Sequence, residues 1–237
     1  MDSWQRLNWL KIRAWSVHFY TSLGLITGFL ALAAIVANNA KLAFLWLGIA
    51  LVIDATDGTF ARKYNVSLWT PGFDGRKLDD ITDYLNYAFI PVFFIWHFEL
   101  INGNLFLILP VVLLSAVYGF CQSGAKTDDG YFTGFPNFWN LVVVYLFIFD
   151  WSQMINGIIL IILAMLVFVP IKFVSFSTPG KVRLVKSLAL VYFVLLVMII
   201  LFNSSEFAYL SLIFPLLYLG YALFQKISTN VIIVPGD

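Results

Sequence analysis

Eight apolar runs, each close to the ~20 residues that carry an α-helix across ~30 Å of hydrocarbon, follow one another at 14–37, 42–61, 79–101, 104–122, 138–150, 155–175, 184–203 and 206–225. A chain patterned this way can pair its backbone in lipid only as helices or as a closed barrel. The two-residue alternation of a barrel strand is absent, so the fold reads as all-α, a polytopic membrane bundle. Composition agrees: of 237 residues 61% are hydrophobic and only 11% charged, more apolar than a soluble core of this size requires. The fifth run is the shortest, since its purely apolar part is Leu141 to Phe149 and it needs Phe138 and Trp139 to reach across.

Residues 1–13 interleave Trp4, Leu7 and Leu10 with Arg6, Lys11 and Arg13. They lack the apolar centre and small-residue cleavage site of a signal peptide, and read as an amphipathic helix in the interface or as a basic extension of the first span. Residues 14–226 read as one transmembrane domain, undivided by any repeat or long linker, and 227–237 as a tail. With eight crossings, thirteen of the fourteen basic residues fall on one side and Lys41 alone on the other, which by the positive-inside rule puts both termini in the cytoplasm. A net charge of +1 offers nothing to nucleic acid. One cysteine, Cys121, and two histidines, His18 and His97, exclude a disulfide framework and a Cys/His metal centre; His97, beside Glu99, reads as an interfacial residue.

Chemistry-bearing residues concentrate in the segments between the second and third, fourth and fifth, and sixth and seventh runs, all on the basic side. The first of these carries Asp54, Asp57, Asp79 and Asp83 at the edges of two spans. Charges at such depth cost several kcal/mol each unless paired, hydrated or metal-bound, so the cluster reads as a functional site. At ~100° per residue Asp54, Asp57, Gly58 and Ala61 share one side of the second helix, and Gly75, Asp79 and Asp83 share one side of the third. Two facing pairs of carboxylates suit hard divalent cations, and two ions held so can clamp a diphosphate. Gly58 and Ala61 leave a hollow where a base or phosphate approaches the backbone, and Gly75 serves likewise; close helix packing is the other use of such small residues. Asp74 and Asp80 lie off the stripe and read as capping or solvated groups at the start of the third helix.

Written as a string, Asp54-x-x-Asp57-Gly58-x-x-Ala61-Arg62, a gap, then Gly75-x-x-x-Asp79-x-x-x-Asp83 resembles the signature of the CDP-alcohol phosphotransferase family. The resemblance implies an integral membrane enzyme with a six-helix core that displaces CMP from a CDP-linked lipid or alcohol by a second alcohol, using two divalent ions, Mn²⁺ or Mg²⁺. Twelve residues separate Arg62 from Gly75, a longer gap than most of the family has. That gap, with LDDITDYLNYAFIP after it, the segments SVHFYTSLG at 16–24 and AKTDDGYFTGFPNFWN at 125–140, and the two extra spans are similar to the bacterial phosphatidylcholine synthases. The implied substrates are CDP-diacylglycerol and choline, the implied location the bacterial inner membrane with the site on the cytoplasmic face, and the implied assembly a homodimer.

Carried over by position, Asp54, Asp57 and Asp79 are metal ligands, and Asp83 completes the second metal site and is the base that takes the acceptor proton. Arg62 suits bidentate phosphate contact, or snorkels at a helix end. Lys126, with Gly130, Tyr131, Phe132, Gly134 and Pro136, reads as a lid or as a plain turn, while Lys181 and Arg183 are candidates for holding the anionic headgroup. A quaternary ammonium is bound by aromatic faces, for which Tyr87, Tyr84 and Tyr118 are candidates. Three alternatives stand beside this reading. One keeps the family and changes the acceptor to serine, inositol phosphate or glycerol phosphate, although only Arg76 and Lys77 are placed to meet a second phosphate. An aspartate-rich intramembrane prenyltransferase would not need Gly58, Ala61, Arg62 and Gly75 at these spacings. An ion-coupled transporter would place its acids near mid-membrane in paired broken helices.

Overall fold

Lipid supplies no hydrogen-bond partners, and the chain answers with helix almost throughout. The computed structural model describes residues 3–125, 127, 130–175 and 182–232. The chain divides into two compact units, Met1–His97 and Phe98–Asp237.

In the first unit α1 (Ser3–Val36) is uninterrupted, so the basic N-terminal segment continues the first span without a break. At ~1.5 Å per residue its 34 residues exceed the hydrocarbon thickness by several turns, and the N-terminal excess carries Arg13, whose guanidinium lies 4.3 Å from the Tyr64 ring centre. Asn38, in the left-handed region at φ 56°, ends α1, and the Asn39 side chain accepts from the Leu42 amide to start α2 (Ala40–Lys63). A single turn, α3 (Val66–Trp69), follows left-handed Asn65 in the long gap. The Asp74 carboxylate then caps α4 (Gly75–Tyr84) by accepting from the Lys77 amide, as its position suggested.

The third apolar run is not one regular helix. After α4 comes a wide π-type turn, Leu85–Phe89, in which the Ile90 amide reaches back to the Leu85 carbonyl, and α5 (Ile90–His97) completes the span. Pro91 explains the turn: in a regular helix its ring would meet the carbonyl four residues earlier, and widening the preceding turn relieves the clash. At the far end His97 Nε2 meets Asn38 Oδ1 at 3.0 Å, tying two turns together, a structural role rather than a ligand's.

The second unit holds α6 (Ile108–Cys121), α7 (Trp139–Phe149), α8 (Gln153–Phe168), α9 (Val182–Phe202) and α10 (Ser205–Ile232). α7 begins at Trp139, as the short fifth run required. The sixth run is corrected: helix stops at Phe168, ahead of Pro170, and Lys172–Val174 is instead β2, paired antiparallel with β1 (Tyr131–Thr133). The lid-or-turn segment is thus one strand of a ribbon. Gly134, at φ 78°, lies so close to the Val167 carbonyl that no side chain fits there. Among the described residues four helices are long and apolar enough to cross a membrane, within Leu7–Val36, Ala40–Lys63, Gly103–Cys121 and Ser205–Lys226, and α7, α8 and 187–202 are shorter apolar helices. The chain is an all-α polytopic membrane protein.

Candidate active site

Along the membrane helix α2, Asp54 and Asp57 are three residues apart and so project to one side. α4 brings Asp79 to the same point, and one oxygen from each of the three carboxylates lies within 4.8 Å of the others. Asp57 is only 5% exposed, with Asp54 and Asp79 half-buried. The two helices meet there because both pack on α1. α1 approaches the α4 end of the third run closely: at Gly24 an added Cβ would strike Thr82, and at Gly28 it would lie 2.7 Å from Asn86 Oδ1. The Gly24-x-x-x-Gly28 spacing is the small-residue device by which membrane helices come into backbone contact. Buried Asn86 holds the junction by donating to the Gly24 and Thr82 carbonyls, each at 3.0 Å.

Hydroxyls back the carboxylates. Thr21 Oγ1 on α1 donates to Asp57 Oδ2 at 2.8 Å, and Tyr87, in the π-turn and 5% exposed, donates its phenol to Asp54 Oδ2 at 2.6 Å. Two carboxylates 4.8 Å apart repel by ~3.5 kcal/mol at an effective dielectric constant of ~20. The base nearest in the motif, Arg62, is exposed at the end of α2, and its Nη2 donates to Thr59 Oγ1 at 3.4 Å. A buried set of oxygen donors carrying this much negative charge, with neither histidine nor cysteine in it, fits a hard divalent cation such as Mg²⁺ or Mn²⁺.

Asp83 lies one turn further along α4, half-buried beside the π-turn, and interacts electrostatically with all three of Asp54, Asp57 and Asp79. Gly58 fronts open space, since an added Cβ would meet only an Arg62 guanidinium nitrogen, at 3.5 Å. Ala61 packs on a cluster of Ala14, Val17 and Val66. Gly75 lies against packed protein rather than a hollow: an added Cβ would be 2.7 Å from His18 Cε1. His18 is itself buried, hydrogen-bonded to Thr70 Oγ1 at 2.9 Å and flanked by Trp15 and Phe73, so it fastens the long gap to α1. Tyr84 is half-buried next to Asp83; Tyr118, on α6, is exposed and packs on Phe168. Lys126 and Lys181 lie outside the described residues; Arg183 is in the first turn of α9, its side chain outside them as well.

Sequence reasoning missed Thr21, His18, Asn86 and the α1 glycines as parts of this region. The glycine spacing was a readable signal. A lone hydroxyl in an apolar span carries none, because it ordinarily bonds its own helix.

No protein-family model matches the chain. Curated relatives do. A phosphatidylcholine synthase of Pseudomonas aeruginosa is 42% identical over 180 residues, 73% of this chain and 72% of that protein. One of Borreliella burgdorferi is 43% identical over 173 residues, 73% of this chain and 74% of that protein. A third, of Rhizobium meliloti, is 34% identical over 190 residues, 79% of this chain and 77% of that protein.

Proposed function

We propose that this chain, which belongs to the phosphatidylcholine synthase family, transfers the phosphatidyl group of CDP-diacylglycerol to choline and releases CMP. The observation that carries the reading is the meeting of Asp54, Asp57 and Asp79 from two helices at one buried point in a membrane protein. These three carboxylates would hold two divalent ions, Mn²⁺ or Mg²⁺, with Asp83 completing the second site. When bound, the ions neutralise the diphosphate and the departing CMP.

Asp83 takes the proton of the choline hydroxyl. The choline oxygen forms a bond to the β-phosphorus, the one bearing diacylglycerol, as the bond from that phosphorus to the bridging oxygen breaks and CMP leaves with the electron pair. Gly58, with open space over its backbone, supports close approach of the nucleotide. Arg62, exposed at the end of α2, is suited to a phosphate, and Lys126, Lys181 and Arg183 are proposed contacts for the lipid headgroup. Tyr84 is the first candidate for a choline-facing ring, ahead of Tyr118 and of Tyr87, whose face is largely covered. We further propose a homodimer in the bacterial inner membrane, with both termini and the site cytoplasmic.

The test is CMP release by detergent-purified protein from CDP-diacylglycerol offered choline, serine or glycerol phosphate, with Mn²⁺ or with EDTA. Release with choline and Mn²⁺ alone is expected, and Asp83→Asn should lose ~10²-fold in turnover while still binding CDP-diacylglycerol. Preference for serine would discard the acceptor and spare the chemistry; release in EDTA equal to that in Mn²⁺ would discard the metal reading.

A further inference from the structure

Hydroxyls in the helices of this chain habitually bond their own backbone. Ser16 donates to the Ile12 carbonyl, Ser22 to His18, Thr27 to Gly24, Thr82 to Leu78 and Ser211 to Ala208. That is the ordinary solution where the surroundings are apolar. Buried Thr21 departs from it and crosses from α1 to Asp57 Oδ2. Tyr87 makes the matching contact with Asp54 Oδ2 from the π-turn.

We propose that Thr21 and Tyr87 are positioning residues that orient Asp57 and Asp54 for cation binding, so that Tyr87 serves the reaction through its hydroxyl and not through its aromatic face. A carboxylate on a flexible side chain can turn either oxygen toward a cation. A hydroxyl bonded to Oδ2 restricts rotation of the carboxylate and so fixes which oxygen it can offer. Both donors are held from outside the helix that bears the carboxylates: Thr21 by the Gly24 and Gly28 packing of α1, Tyr87 by the turn that Pro91 imposes. Groups that hydrogen-bond metal ligands in this way commonly set metal affinity by 10- to 100-fold.

The proposal rests on the reading that these carboxylates bind the ions, and its test separates the two. Mn²⁺ binding to substrate-free protein is measured from the electron paramagnetic resonance signal of free Mn²⁺, for wild type, Asp57→Ala, Tyr87→Phe, Thr21→Val and Thr21→Ser. Expected is a Kd for Mn²⁺ raised about 10- to 100-fold in Tyr87→Phe and Thr21→Val, and restored in Thr21→Ser. In turnover assays Tyr87→Phe should recover rate as Mn²⁺ is raised, with the KM for choline unchanged. Equal Mn²⁺ binding by wild type and Asp57→Ala would overturn the carboxylate reading itself. Binding by wild type but not by Asp57→Ala, with Tyr87→Phe and Thr21→Val within about twofold of wild type, would overturn this proposal alone. A raised choline KM in Tyr87→Phe at unchanged Mn²⁺ affinity would overturn it too.

Discussion

Replacing Asp57 by Asn should make the ion-free protein more stable while removing its response to metal. Asp57 is 5% exposed and has carboxyl oxygens of Asp54 and Asp79 within 4.8 Å, a separation at which an ionised pair repels by ~3.5 kcal/mol at an effective dielectric constant of ~20. Asparagine has the same shape, keeps an oxygen to accept from Thr21, and offers an amide that donates to Asp54 or Asp79 where there was repulsion. If only ~2 kcal/mol of that repulsion is relieved, melting rises by about 4–8 °C, at ~2–4 °C per kcal/mol for a chain this size. In Mn²⁺ the order should reverse, because wild type gains ~2.7 kcal/mol at a hundred times its Kd and the variant loses most of that gain. The eight tryptophans allow the melt to be followed by intrinsic fluorescence in detergent, with EDTA and with Mn²⁺. A variant that melts below wild type in EDTA, or that keeps the full Mn²⁺ increment, would refute the electrostatic argument.

Gly75→Ala should cost ~1–3 kcal/mol by overpacking against His18, read as a lowered melting temperature in detergent; a variant that melts with wild type would return Gly75 to a substrate contact. Cysteines placed at Ser204 and Ser228 in a Cys121→Ser background should label oppositely with an impermeant reagent on intact cells, as the basic-residue bias requires, and equal labelling would break the eight-crossing reading.

The sequence alone carried the fold class, the family and the shared face of Asp54 and Asp57. Those properties are local: apolar length decides whether a helix crosses lipid, and helical periodicity decides that Asp54 and Asp57 share a face. The capping role of Asp74 and the short fifth helix were legible for the same reason. What the chain left open depends on contacts between residues far apart. Whether 172–174 ends a helix or pairs with 131–133 turns on a partner some forty residues away. Whether Gly75 and Ala61 line a hollow or seal a contact turns on His18 and Ala14. Asp79 joins Asp54 and Asp57 because α1 admits the third run closely at two glycines. A motif specifies which groups are present on each helix; only the packing of α1 against its neighbours decides which oxygens converge and which hydroxyls hold them.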